Sequence, residues 1–86
     1  MQEIVIPNRF GLHGRASALL VQTARRFAAD IKLVRDGMEA DCKSILDVMA
    51  MGCTMGTPVS IRAKGPDARE ALAALSALIA DGFGEQ

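Results

Sequence analysis

The sequence has no tryptophan, no tyrosine and only three phenylalanines in 86 residues, yet half of its residues are apolar. A chain of this length buries only about 60% of its unfolded surface, so its core must be thin and regular. Small side chains suit helices packed close on a sheet, and they leave no deep cavity for a large cofactor. No cofactor is therefore expected. Cysteine is scarce as well: Cys42 and Cys53 form neither a close redox pair nor a disulfide framework. With a single histidine the ligands for zinc are too few, and no metal is expected. Net charge is absent too, which argues against general nucleic-acid binding. Met1 is followed by Gln2, Glu3 and a strand-like run, with no basic segment and long apolar stretch. Neither a secretory signal nor membrane insertion is expected, and the expected location is the cytoplasm.

The charges that do occur are unevenly spread. Residues 1–35 contain Arg9, Arg15, Arg25, Arg26, Lys32 and Arg35 against only Glu3 and Asp30, whereas residues 36–86 hold four basic and eight acidic side chains. A basic first part suits a phosphate or an acidic protein surface. Without a repeat, a low-complexity segment or a linker, residues 1–86 read as one domain, expected to be a monomer.

Residues 2–8 predict a β-branched strand closed by Pro7 and Asn8, with a loop from Asn8 to Leu12. From Gly14 the apolar period becomes helical: Ala16, Leu19, Leu20, Thr23, Ala24 and Phe27 share one face, predicting a helix to about Ala28. Ile31–Arg35 and Met38–Cys42 predict two strands joined by Asp36-Gly37, a two-residue hairpin whose turn positions both need positive φ. Met38, Ala40 and Cys42 are placed on one side of the returning strand. Ser44 and Asp47 have capping-box spacing before a short helix that Gly52 stops. Pro58–Lys64 predicts the last strand, with Val59, Ile61 and Ala63 inward. Pro66, at the first helical position, opens a final helix along Ala68, Ala71, Leu72, Leu75, Leu78, Ile79 and Phe83, with Gly82 and Gly84 fraying its end. The order β-α-β-β-α-β-α, with alternating strands, predicts an α+β, two-layer open-faced sandwich with all helices on one sheet face.

The chemistry concentrates at Gly11-Leu12-His13-Gly14-Arg15-Ala16-Ser17. Placed at a helix N-cap, His13 faces the unpaired amides of the first turn, those of Arg15, Ala16 and Ser17. The macrodipole adds roughly half a positive charge there, and such an end binds phosphate. A ring nitrogen can act as nucleophile, and the helix amides with the Arg15 guanidinium can meet the transferred phosphoryl oxygens. Gly14 and Ala18 are small enough to let a partner bring its reacting group within about 3–3.5 Å. Two readings stand at this point, a histidine that merely caps a helix and a phosphoryl acceptor. The arginine spacing and the small neighbours favour the second.

This stretch resembles the active-site signature of the HPr family, the histidine-containing phosphocarriers of the bacterial phosphoenolpyruvate-dependent phosphotransferase system. That signature is commonly Gly-Leu-His-Ala/Thr-Arg-Pro-Ala. The resemblance runs through the chain's length, its element order, Asp36-Gly37, Lys43-Ser44-Ile45, and Gly56-Thr57 before the last strand. It implies an antiparallel sheet of order 1-4-2-3 with three helices on one face. It also implies phosphorylation of His13 on Nδ1 by Enzyme I, assistance by Arg15, and transfer to an EIIA protein or domain, as a relay intermediate rather than a stand-alone enzyme. Ala16 stands where the family usually has proline, a departure that leaves the first helical turn intact and points to a divergent branch, sugar uptake and a nitrogen-related phosphorelay both remaining open.

Ser44 has a sufficient structural role as a helix cap. The resemblance adds a regulatory one, since the matching serine is the target of HPr kinase/phosphorylase in many bacteria. A regulatory module whose binding depends on Ser44 is thus the rival to a carrier. Ile45, Leu46, Val48, Met49 and Met51 are too many apolar residues for one face of a two-turn helix, so some must be exposed. We read Ile45, Leu46 and Met49, with Arg25 at their edge, as a docking patch near His13.

Overall fold

The computed structural model describes residues 1–85. Strands β1 (Gln2–Val5), β2 (Asp30–Arg35), β3 (Met38–Asp41) and β4 (Pro58–Lys64) form one sheet of order β1-β4-β2-β3. Every neighbouring pair is antiparallel. Helices α1 (Gly14–Ala24), α2 (Ile45–Ala50) and α3 (Ala68–Ala80) cover one face, and a single 3₁₀ turn follows at Gly82–Gly84. This is the open-faced α+β sandwich that the strand alternation predicts.

The register explains the core. Leu33 stands opposite both Ile61 and Ala40, and Ile31 opposite Ala63, so one sheet face presents these side chains to the helices. They meet Ala16, Leu20, Val21 and Ala24 of α1 and Ala71, Leu75 and Ile79 of α3, all buried. The other face carries polar pairs such as Arg62 with Glu39 at 2.6 Å. The β2–β3 turn has the required backbone, with φ of 49° at Asp36 and 79° at Gly37.

Several boundaries depart from the pattern reading, each for a physical reason. Helix α1 stops at Ala24 rather than near Ala28. The turn beyond it is held from outside: the Asp67 carboxylate accepts the amides of Ala28 and Ala29, both at 2.8 Å, and Lys43 Nζ donates to the Phe27 carbonyl at 2.7 Å. The buried face of α1 is also rotated, with Ser17 and Val21 inside while Leu19, Thr23 and Phe27 are half-buried at its margin. Asp67 is the N-cap of α3, so Pro66 lies ahead of the helix instead of at its first position. The Ser44 hydroxyl caps α2 from the Asp47 amide at 3.3 Å, but the Asp47 carboxylate turns to the Asp41 amide, leaving the capping box half made. Met38, next to the hairpin, is exposed while Ala40 and Cys42 are buried. The glycines after α3 do not fray it, because Phe83 between them is buried and anchors the turn.

Candidate functional site

The loop before α1 is fixed at both ends. Asn8 is buried; its Nδ2 donates to the Gly11 carbonyl at 2.7 Å, and its own carbonyl accepts the Gly11 amide at 3.2 Å. Leu12 is buried, and its amide donates to the Cys53 carbonyl at 2.9 Å. Gly11 is required here: its φ is +62°, and a Cβ would fall 2.3 Å from the Cys53 carbonyl oxygen. On the far side, the buried Ser17 hydroxyl donates to the Leu12 carbonyl at 2.9 Å. His13 therefore emerges from a loop clamped between α1 and the segment 53–57.

His13 is the N-cap of α1, with extended backbone, and its Nδ1 accepts the Arg15 amide at 3.3 Å. Its side chain is one-third exposed, and the other ring nitrogen, Nε2, lies 2.6 Å from Oε2 of Glu85. Asn8 Nδ2 approaches the same carboxylate at 3.4 and 3.3 Å. The hydrogen bond from His13, helped by Asn8 and by the Arg15 charge, holds the Glu85 carboxyl below the usual carboxylate range, so it is anionic at neutral pH. Phe10 sets its ring edge-on to the imidazole at 5.8 Å and is 66% exposed; the Arg9 guanidinium stacks on that ring.

The first turn of α1 supplies anion donors. The amides of Gly14 and Ala16 have no hydrogen-bond partner among the described residues. The Ser17 amide is different. It closes the first helical bond, to the His13 carbonyl at 2.8 Å, and the Ser17 hydroxyl donates to the Leu12 carbonyl, so neither group is unpaired as the first-turn reading expects. Arg15 is exposed, and its guanidinium makes no hydrogen bond or ion pair among the described residues. Gly14 is exposed with open space where a Cβ would stand, and Ala18 is half-buried beside it on α1.

Helix α2 divides its apolar residues as its length demands. Val48 and Met51 are buried, while Ile45, Leu46 and Met49 remain exposed. Arg25 is tied to this helix's start, donating from Nε and Nη2 to the Lys43 carbonyl at 3.1 and 3.0 Å, directly before Ser44. Both cysteines are buried, and burial pushes the Cys42 thiol up to about 12 and raises Cys53 as well. Among the described residues no cluster of side chains is suited to a metal ion. No helix in them is long and apolar enough to cross a membrane.

Sequence pattern alone does not assign Asn8, Phe10 or Glu85 to the site. Phe10 has a local signal, an aromatic side chain in a loop three residues from the histidine. Glu85 has none, since only the folded chain brings it to His13.

The family model for the phosphorylation site of the phosphotransferase system's HPr component matches residues 1–81. The chain belongs to the HPr family. It is 45% identical over 84 residues to the phosphocarrier protein HPr of Cupriavidus necator, covering 98% of this chain and 94% of that one. It is 38% identical over 78 residues to the HPr-like protein Crh of Bacillus subtilis, covering 91% and 92%. The crystal structure of HPr from Thermoanaerobacter tengcongensis superposes with a TM-score of 0.94 at 42% identity, covering 100% of this chain and 99% of that one. HPr-family proteins are phosphocarriers of the phosphotransferase system, moving phosphoryl groups between Enzyme I and EIIA; they are relay intermediates and not enzymes in their own right.

Proposed function

We propose that His13 accepts a phosphoryl group on Nδ1 from Enzyme I and passes it to an EIIA protein or domain. The observation that carries this reading is the setting of the ring. His13 is the N-cap of an eleven-residue helix, one-third exposed, with Nδ1 on the side of the helix amides. A phosphoryl group on that nitrogen meets the amides of Gly14 and Ala16 and the positive end of the helix dipole. Arg15, with its guanidinium unengaged, adds a charge-assisted partner. These are interactions with the anion alone, so they hold the group while leaving it on the surface for the next protein. Ile45, Leu46 and Met49 form the apolar part of the docking surface, Gly14 and Ala18 keep the approach to the ring clear, and Arg25 contributes positive charge.

Incubation with Enzyme I and labelled phosphoenolpyruvate tests the reading. The expected result is an acid-labile phosphate on the wild type that is lost in His13→Ala. Absence of label on the wild type overturns it.

A second role, phosphorylation of Ser44 by HPr kinase/phosphorylase, is supported by the position of its hydroxyl at the cap of α2, next to the exposed apolar residues. Up to two added negative charges there disfavour an acidic partner without requiring a change of fold. Incubation with the kinase and ATP gives an acid-stable phosphate absent from Ser44→Ala; the same labelling in both proteins refutes the assignment.

A further inference from the structure

Glu85 lies 72 positions from His13 in the chain, yet its Oε2 is 2.6 Å from Nε2 of the imidazole. The contact is engineered by what precedes it. Gly82, Phe83 and Gly84 all have left-handed backbone, with φ of 63°, 59° and 73°. A phenylalanine adopts that conformation only at a cost, which here is offset by burying its ring in the core. The turn follows α3 and brings the Glu85 carboxylate to the active loop. Asn8, itself bonded to Gly11, also approaches both carboxylate oxygens.

We propose that Glu85 is a positioning residue for phosphoryl transfer, keeping the imidazole proton on Nε2 and balancing the positive charge that the ring gains at Nδ1. The proposal rests on the reading of His13 as the phosphoryl acceptor. A neutral imidazole has one N–H and one lone pair, and an ionised carboxylate can only accept. The nitrogen facing Glu85 must therefore carry the hydrogen. Nδ1 is left with the lone pair, engaged among the described residues only by the long contact from the Arg15 amide at 3.3 Å, which an incoming phosphorus readily displaces.

During transfer the Nδ1 lone pair forms the N–P bond while the donor's own bond to phosphorus breaks and its electron pair leaves with the donor. The ring then bears substituents on both nitrogens and a positive charge, with Nε2–H still donating to Glu85. When the group moves on, the N–P electron pair returns to Nδ1. The proton stays on Nε2 throughout. This is the orienting role that a third group plays behind many nucleophiles and bases.

Imidazole ¹⁵N–¹H spectra and rapid-quench transfer from phosphorylated Enzyme I, measured on wild type, Glu85→Ala and Glu85→Gln, test the proposal. Glu85 follows the last element of the fold, so both variants keep the core. The wild type shows a single tautomer with a slowly exchanging Nε2–H proton. Glu85→Ala loses that proton signal, admits the second tautomer and transfers about tenfold more slowly. Glu85→Gln keeps the signal, because its amide oxygen accepts, but lacks the charge and slows about threefold to fivefold. A mere tie for the C-terminal turn moves the melting temperature and neither of these readouts. Retention of one tautomer in Glu85→Ala, or transfer by both variants within twofold of wild type, overturns the proposal. If the wild type takes no phosphoryl group, the carrier reading fails and the transfer half of the proposal with it; the ring spectra still decide whether Glu85 fixes the tautomer.

Discussion

Gly11→Ala and Gly52→Ala form a matched pair. Both glycines have the same left-handed backbone, φ 62° and 63°, so both substitutions carry the same conformational penalty, about 1 kcal/mol. They differ in what a new methyl group meets. At Gly52 a Cβ finds nothing within 4 Å, whereas at Gly11 it lies 2.3 Å from the Cys53 carbonyl oxygen and 2.8 Å from Thr54 Cα. Those are backbone atoms, which cannot rotate aside. Relief requires the two loops to part by about 1 Å before ordinary contact is restored. That movement stretches the 2.9 Å bond from the Leu12 amide to the Cys53 carbonyl, worth about 1 kcal/mol. Strain of the kind seen on overpacking adds about 1–2 kcal/mol. Urea unfolding should therefore find Gly11→Ala destabilised by about 3–4 kcal/mol and Gly52→Ala by about 1 kcal/mol. For a domain of this size the gap is roughly 10 °C or more in Tm. Because the strained loop leads directly into His13, Gly11→Ala also slows phosphorylation, and Gly52→Ala does not. Unfolding free energies within about 0.5 kcal/mol of each other would refute the reasoning, since the close approach of the two loops would then carry no weight.

Arg15→Ala should leave the unfolding free energy within about 0.5 kcal/mol of wild type, because its guanidinium has no partner among the described residues, yet shorten the lifetime of the phosphorylated protein several-fold in a hydrolysis assay. Asp67→Ala removes the acceptor for the Ala28 and Ala29 amides and should lower Tm at pH 7. The bonds from those amides hold the Asp67 carboxyl below its usual range, so its contribution exists above the unfolded value, near pH 4, and is lost as pH falls through the lower folded value; the Tm gap between variant and wild type should close on acidification. Leu46→Ala changes a side chain that is 77% exposed, so calorimetry should detect no loss of stability beyond about 0.5 kcal/mol while titration with EIIA shows weaker binding.

Local chemistry made most of the fold legible. Asp36-Gly37 specifies its hairpin because only a few residue types tolerate positive φ at both positions, and the alternation in Pro58–Lys64 by itself marks the inner face of β4. The placement of His13 at a helix start with Arg15 beside it is legible for the same reason, since the cap, the ring and the guanidinium lie within three residues. The features that periodicity missed are long-range. Helix α1 ends at Ala24 because Asp67, some forty positions away, captures the amides that would have continued the turn. The unpaired Ser17 amide that the helix start predicts is instead closed by a local competition, in which the hydroxyl finds the Leu12 carbonyl and the amide the His13 carbonyl. No count of apolar spacings detects either event.

The two nitrogens of His13 face opposite electrostatic environments. Nδ1 looks toward the positive end of α1 and the Arg15 amide, and Nε2 toward the Glu85 carboxylate. This polarity matches the charges of a phosphorylated imidazole, an anion beyond one nitrogen and a ring cation balanced at the other. Ala16 stands where the family signature commonly has proline. Ala16 occupies the third position of α1, is fully buried, and its amide makes no intrahelical bond. Proline there removes a donor that the helix itself does not use and stiffens the turn. Alanine gives up that stiffness and keeps one N–H at the positive end of the helix. The turn stays fixed by other means: Ser17 bonds back to both Leu12 and His13, and Leu12 is held by Cys53. Order that a proline ring supplies covalently is supplied here by a buried serine and a clamped loop.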